Sequence, residues 1–293
     1  MSGRSNQTNG ILLMVATTFI FAVQDGFSRH LAAQYPVIMV VMLRYWFFAA
    51  FVMAITARSP GGIRAAARSK VPLLQIFRGA LLVLEICVAI WSFVLLGLVE
   101  AHAIFACYPL IIAALSGPVL GEAVGWKRWA AIGVGFIGIL VILRPGFTVF
   151  SPEAVVPLVA AAMFALYGLL TRYVGRIDRA ATSFFWTGMA GAVVITVIGI
   201  WSWEPMASED WGLMGVLCIS GALGHWMLIK VYDLAEASAV QPFAYFQLVF
   251  ASTIGVMFFS ETLSPLTVLG ATIVVGAGLF TFWREGRSAR LQK

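Results

Sequence analysis

The chain has 293 residues, of which 61% are hydrophobic and 11% charged, and its formal net charge is +6. Soluble globular domains carry about 25% charged residues, so this composition excludes an ordinary water-soluble fold and indicates an integral membrane protein. The basic residues occur in short runs between apolar segments. That distribution is typical of membrane topology and argues against nucleic acid as a partner.

Ten apolar segments follow one another along the chain. A membrane-spanning helix needs about 20 mostly apolar residues, and each segment is close to that length. The predicted spans are 10–32, 36–57, 72–97, 101–120, 125–143, 153–174, 180–201, 211–232, 237–259 and 265–283.

Lysines and arginines are distributed unevenly between the predicted loops. If the N-terminus is cytoplasmic, 15 of the 19 basic residues lie on the cytoplasmic side, and only Arg29 and Arg144 lie outside. The other two, Arg44 and Arg78, fall within spans. Because cytoplasmic loops carry the excess of basic residues, we expect both termini in the cytoplasm.

A weak internal repeat relates the two halves of the sequence. A shift of 143 residues aligns "FAVQDGFSR" (21–29) with "FALYGLLTR" (164–172), and a shift of 136 residues aligns "VEAHAI" (99–104) with "AEASAV" (235–240). Five spans per half make the second half start from the opposite side of the membrane, which is the inverted repeat of many secondary transporters.

The predicted fold class is therefore an all-α integral membrane protein, with ten transmembrane helices in two inverted five-helix repeats around a central cavity. The first predicted repeat covers 10–143 and the second 153–284.

Three charged residues are predicted to share one layer of the membrane. Asp25, Arg44 and Glu85 lie about 18–22 Å from the cytoplasmic side at ~1.5 Å per residue. A buried guanidinium needs compensation, and a bidentate pair of Arg44 with a carboxylate would supply it. An Asp25–Arg44 pair could serve only to fix helix register, which would leave Glu85 to bind a substrate ammonium group or a proton.

Other polar and aromatic side chains extend the predicted lining. Arg78 lies on the same helix face as Glu85, although its depth also lets the side chain reach toward the cytoplasm. A lone histidine such as His225 is either a helix–helix hydrogen bond or a ligand. The predicted cavity residues are Asp25, Arg44, Arg78, Glu85, Trp91, Tyr167, His225, Gln241 and Tyr245. The three cysteines have no metal or disulfide spacing, and we expect no catalytic residue, metal or cofactor.

The fourth span of each half ends with a similar motif. In the first half it is "YPLIIAALSGPVLGE", with Pro109 and Glu122, and in the second "FQLVFASTIGVMFFSE", where Gln247 replaces the proline and Glu261 is present. A glycine-rich fifth span follows in both halves. In these features the chain resembles the drug/metabolite transporter superfamily, in its ten-helix form with two EamA-type repeats.

The resemblance implies export of small molecules, and the chain looks most similar to the amino-acid exporters, including the aromatic amino-acid type. Glu122 and Glu261 are interpreted as helix-end contacts. We therefore predict a secondary transporter that exports amino acids or similar zwitterions across the inner membrane by alternating access. Its expected partners are a small-molecule substrate and the lipid bilayer, and proton coupling is left open.

Three alternatives were weighed against this prediction. A carrier of the same fold could take cationic drugs or nucleotide sugars. An intramembrane serine protease would need a Gly-x-Ser-Gly loop, and "CISGALGH" has Ser220 and His225 but lacks the first glycine, so we predict a non-enzyme. A receptor is disfavoured because no soluble domain remains to pass on a signal.

Overall fold

The structure, a computed structural model, describes residues 2–121, 125–143 and 152–291. These residues form twelve α-helices and two short 3-10 turns, Pro152–Ala154 and Ile200–Ser202. The helices are α1 (Ser2–Ala32), α2 (Val37–Arg58), α3 (Gly62–Ala67), α4 (Pro72–Phe105), α5 (Tyr108–Leu120), α6 (Trp126–Leu143), α7 (Val155–Gly175), α8 (Ala180–Gly199), α9 (Asp210–Leu234), α10 (Ala237–Ala244), α11 (Phe246–Phe259) and α12 (Pro265–Leu291).

Seven helical stretches of the described chain are long and apolar enough to cross a membrane. One of them, Pro72–Leu120, has 49 residues, which is more than twice the length needed for a hydrocarbon core of about 30 Å. Two shorter apolar helices, Trp129–Ile142 and Pro265–Ala277, accompany them. The all-helical, multi-pass prediction agrees with this architecture, whereas the count of ten spans and the inverted repeat stay predictions.

The 49-residue stretch is bent at Gly97 and broken before α5. Gly97 has φ +81°, a left-handed conformation that glycine adopts readily, and a Cβ there would lie 2.8 Å from a carboxylate oxygen of Glu261. Pro109 in the first turn of α5 cannot donate a helical hydrogen bond, which suits the break after Phe105. A similar break at Tyr245 separates α10 from α11. Interrupted membrane helices are tolerated where they are buried in protein or border a cavity.

The outer surface of the molecule is apolar. Among the residues that the structure describes, five large apolar side chains are each more than 70% exposed, a level that would promote aggregation in water: Leu73, Trp126, Trp201, Met257 and Phe258. A lipid environment accommodates such a surface.

Helices of the first half pack mainly on helices of the second half. α1 packs against α9 and α11, α2 against α8 and α9, and α4 against α7 and α8. α6 pairs with α12 at the edge, where a Cβ on Gly270 would lie 2.5 Å from the carbonyl oxygen of Gly138. The polar side chains of both halves are therefore brought together at the contact between the halves.

Candidate functional site

A central cavity of about 40 Å³ lies where α1, α2, α4, α7, α9 and α11 meet. Four phenyl rings line it, together with three charged and three neutral polar side chains. The rings are Phe21, Phe93, Phe105 and Phe164, and the polar side chains are Gln24, Asp25, Arg44, Glu85, His225 and Gln247. The structure thus brings together four of the predicted cavity residues, Asp25, Arg44, Glu85 and His225.

Arg44 is almost fully buried and is held by two neutral side chains. Its Nη2 donates to Oε1 of Gln24 at 3.0 Å and lies 3.2 Å from Nε2 of His225. Because a guanidinium can only donate, Nε2 of His225 must be the acceptor, and the proton of this imidazole is on Nδ1. That Nδ1 is buried and has no hydrogen-bond partner among the described residues.

The expected direct ion pair between Arg44 and Asp25 is not formed, and that part of the sequence prediction is wrong. Gln24 lies between them, because its Nε2 is 3.4 Å from Oδ1 of Asp25 while its Oε1 accepts from Arg44. An amide can link a cation to an anion in this way because it has a donor and an acceptor at one end.

Asp25 instead pairs with His102 of α4. Nε2 of His102 lies 3.0 Å from Oδ2 of Asp25, and Nε2 of Gln247 donates to the same oxygen at 3.1 Å. Gln247 occupies the position where the family pattern has proline. Asp25 therefore connects α1 with both interrupted segments, α4–α5 and α10–α11.

Glu85 differs from the other charged residues of the cavity. It is 3% exposed, and its carboxylate makes no hydrogen bond or ion pair within the described part of the chain. Asp25 and Arg44 both lie close enough to act on it electrostatically. A buried carboxylate without a partner is costly, so this group is ready to accept a donor from a ligand.

Arg78 does not line the cavity and does not reach toward the cytoplasm, so both expectations for it are wrong. It is fully buried between α4, α7 and α8. It donates to the side chains of Gln75, Tyr167, Thr171 and Thr187 and, at 2.6 Å, to the carbonyl oxygen of Ser183. The many acceptors compensate the buried charge, so Arg78 and the predicted cavity residue Tyr167 act as a polar clamp between three helices.

Three other predicted residues also lie away from the central cavity. Trp91 is 53% exposed on the outer surface of α4, because it lies about 120° around the helix from Glu85. Gln241 donates to the hydroxyl of Tyr232 at 3.3 Å. Tyr245 lines a separate void of about 10 Å³. His102, which contacts Asp25, lines the same void.

Sequence reasoning missed Gln24, His102, Gln247 and the four phenyl rings. Two signals were present: the substitution of proline by Gln247, and a histidine in the segment "VEAHAI" that aligns with the second half. Neither signal could show that both side chains converge on Asp25, because the pairing depends on the bend at Gly97.

A second polar contact lies at the end of α11. The Arg29 guanidinium forms an ion pair with Glu261, whose carboxylate also accepts the backbone N–H groups of Leu98 at 2.9 Å and Val99 at 2.7 Å. Glu261 thus joins α1, the bend of α4 and the end of α11. This agrees with its predicted role as a helix-end contact. Glu122, its counterpart in the sequence motif, lies outside the described residues.

Apolar helices around a charged, ring-lined cavity are the arrangement expected of a membrane transport protein. The EamA-like transporter family matches the chain twice, over residues 8–144 and 152–283. The chain therefore belongs to the EamA-like transporter family, which confirms the resemblance to the drug/metabolite transporter superfamily.

Relatives with stated substrates cover nearly the whole chain. The S-adenosylmethionine uptake transporter of Rickettsia prowazekii is 26% identical over 280 residues, covering 96% of this chain and 94% of the relative. The riboflavin transporter of Vibrio cholerae is 26% identical and covers 99% and 98%. The pseudopaline exporter of Pseudomonas aeruginosa is 24% identical and covers 92% and 94%. These names support transport of small metabolites, and they do not single out the aromatic amino-acid exporters.

A solved crystal structure has the same fold. It superposes with a TM-score of 0.70 at 18% identity, covering 97% of this chain and 98% of the other.

Proposed function

We propose that this protein carries metabolites that combine an α-amino-acid group with an apolar or aromatic part, and that S-adenosylmethionine is the first substrate to test. The observation that supports this most directly is the pairing of a guanidinium and a partnerless carboxylate among phenyl rings in one cavity. An α-amino acid presents an anion and a cation a few ångströms apart. The cavity offers the complementary charges.

The unused polar atoms suggest how such a substrate binds. Arg44 uses only Nη2 for its hydrogen bonds to described residues, so Nη1 and the Nδ1–H group of His225 are free to donate to a carboxylate. The Glu85 carboxylate can accept from an ammonium group, and so can Oε1 of Gln247, which has no hydrogen-bond partner in the described part of the chain. Phenyl rings then provide faces for an aromatic ring or a cation.

Binding requires the helices to separate. Ligand pockets usually measure about 300–1,000 Å³, whereas this cavity has room for only a few water molecules. In this conformation the predicted central cavity is therefore present but too small for a metabolite. We propose a closed state of an alternating-access cycle, in which the Arg29–Glu261 contact holds α1 and α11 together at one end.

Export of amino acids was the expectation from sequence, and the relatives include both an uptake transporter and an exporter. We keep outward transport across a bacterial inner membrane, with both termini cytoplasmic, as part of the proposal. Labelling of single cysteines placed at residue 2 and at residue 293 by a membrane-impermeant reagent tests the orientation. Labelling of either end in intact cells would contradict it.

Counterflow in liposomes tests the substrate. Purified protein is reconstituted in vesicles loaded with unlabelled compound, and uptake of the same radiolabelled compound is followed. The compounds are S-adenosylmethionine, phenylalanine, tryptophan, leucine and riboflavin. We expect counterflow of at least one amino-acid compound, and we expect Glu85→Gln and Arg44→Gln to lower it about tenfold or more.

Glu209→Gln is the matched control, because Glu209 is exposed in a loop and should not affect counterflow. Counterflow of riboflavin alone, or normal counterflow in both cavity variants, would reject the proposed substrate class.

A further inference from the structure

The contact between Asp25 and His102 contains a proton that substrate binding, as described above, does not use. Nδ1 of His102 lies 2.9 Å from the carbonyl oxygen of Leu98 and Nε2 lies 3.0 Å from Oδ2 of Asp25. A carbonyl oxygen can only accept, so Nδ1 carries a proton. The contact at Nε2 then needs another proton, on either the imidazole or the carboxyl group. In both arrangements, the pair holds one proton more than a neutral imidazole and a free carboxylate.

We propose that Asp25 and His102 form a proton-binding site that alternates with the substrate: the empty cavity holds a proton, and binding of a monocationic metabolite releases it. This inference rests on the proposed function and assigns its coupling ion. The protein would exchange one proton for one cationic metabolite.

The charge balance of the cavity supports this exchange. S-adenosylmethionine carries a carboxylate, an ammonium and a sulfonium, and therefore a net charge of +1. If this molecule replaces one proton, the net charge of the buried site is the same before and after the exchange, so the exchange adds no uncompensated charge to the cavity.

The position of the Asp25–His102 pair links its proton to a change in the bend of α4 at Gly97. His102 follows the bend at Gly97 by five residues, and its ring stacks at 4.8 Å on Phe93, which precedes the bend. Asp25 is on α1, so a change in the bend separates the two partners. Both are buried, at 7% and 2% exposure for Asp25 and His102, and the proton therefore reaches water only when the helices open.

Several other groups surround the pair and influence its proton. α10 and α11 contribute no titratable side chain to it. The titratable and charged neighbours from the other packed helices and from the break between α10 and α11 are Glu85, Arg44, His225, Tyr108, Tyr167 and Tyr245.

The first experiment needs no substrate. The chain has three histidines, so selective ¹⁵N labelling gives a small set of imidazole signals, and His102→Gln assigns one of them. We expect, near pH 6 in nanodiscs, either an imidazolium signal for His102 or an infrared band of a protonated carboxyl group that Asp25→Asn removes. A neutral His102 without such a band, from about pH 5 to about pH 9, would overturn the proposal.

The second experiment counts protons. The protein is reconstituted in vesicles that contain a pH indicator, and S-adenosylmethionine is added outside. We expect about one proton to leave the vesicle for each molecule of S-adenosylmethionine that enters. Two rates are then compared: uptake driven by a pH gradient, and counterflow with the same pH on both sides of the membrane. In His102→Gln, the ratio of the first rate to the second should fall about tenfold. His30→Gln is the matched control, because His30 is exposed at the end of α1.

The outcomes separate this inference from the proposed function. Counterflow of S-adenosylmethionine without proton movement leaves the function standing and overturns the coupling. If none of the five compounds shows counterflow, the proposed function fails. In that case, the coupling to a metabolite fails with it, and the labelled histidine signal still decides whether the pair holds a proton.

Discussion

Arg44 and Asp25 are joined through the side chain of Gln24, whose amide oxygen accepts from the guanidinium at 3.0 Å and whose amide nitrogen lies 3.4 Å from the carboxylate. The two charged groups therefore do not form a direct ion pair with each other. A direct pair would occupy the guanidinium, whereas this arrangement leaves Arg44 able to bind a ligand, while Asp25 contacts His102 and Gln247. The relationship explains how a buried cation can be tolerated and still be available for binding.

Gly221 of α9 makes room for the Arg44 guanidinium, which leads to the first prediction. A Cβ at position 221 would overlap Nε of Arg44, so we expect Gly221→Ala to displace this side chain from Gln24 and His225. Counterflow should fall about tenfold, because a misplacement of about 1 Å at a site of this kind already has large effects.

Gly215→Ala is the control for the first prediction, since it lies on the same helix and its Cβ would meet nothing within 4 Å. Equal counterflow in the two variants would show that the position of Arg44 is not important for transport.

The second prediction concerns the Arg78 clamp. Replacement by lysine keeps a positive charge but cannot reach the separate acceptors that the guanidinium serves, so buried oxygens lose their donors. Each such loss costs about 1–3 kcal/mol. We expect Arg78→Lys to unfold at a clearly lower temperature in detergent, as followed by size-exclusion chromatography after heating. Arg64→Lys, at an exposed site, should melt like wild type. A wild-type melting curve for Arg78→Lys would contradict the clamp.

Trp91 provides the third prediction, and it reverses the expectation from sequence. Because this side chain faces outward, Trp91→Leu should leave counterflow within about twofold of wild type. Phe105→Leu, which removes a ring from the cavity wall, should lower counterflow of aromatic compounds more than that of leucine. If Trp91→Leu abolishes transport in correctly inserted protein, our placement of the cavity is wrong.

The depth of a residue could be predicted from the sequence, whereas the direction of its side chain and its partners could not. Counting residues from the ends of the spans placed Asp25, Arg44 and Glu85 in one layer, and the structure places all three at the same cavity. Trp91 was also predicted to line the cavity from its place inside a span and is outside, because a helix turns by about 100° per residue and only tertiary packing decides which face is buried.

His102 illustrates a different limit. It lies only five residues from Gly97, so a straight helix would place it near the end of a span, and the bend instead turns it toward Asp25. Straight-helix periodicity carries no information about such a bend. The glycine at its centre is required both by its φ angle and by the close approach of Glu261.

The fourth prediction concerns stability as a function of pH, through Asp178 in the turn between α7 and α8, outside the membrane-spanning segments. Its carboxylate accepts hydrogen bonds from the Ser69 hydroxyl, the backbone N–H of Lys70 and Nε2 of Gln75, and so fastens this turn to the start of α4. Burial acts to raise the pKa of Asp178, but these hydrogen bonds outweigh it and hold the pKa below the usual value of about 3.9.

Because the pKa of Asp178 is lower in the folded state, its stabilising effect is complete above the pKa of the unfolded chain and is lost as the pH falls through the folded value. We therefore expect Asp178→Asn to lower the melting temperature at neutral pH, with a difference from wild type that shrinks as the pH falls below the ordinary aspartate pKa of about 3.9. Asp233→Asn, at an exposed carboxylate, should melt like wild type at neutral pH. If the melting temperature of Asp178→Asn stays below that of wild type by the same amount at every pH, the loss does not come from the carboxylate charge, and the prediction is contradicted.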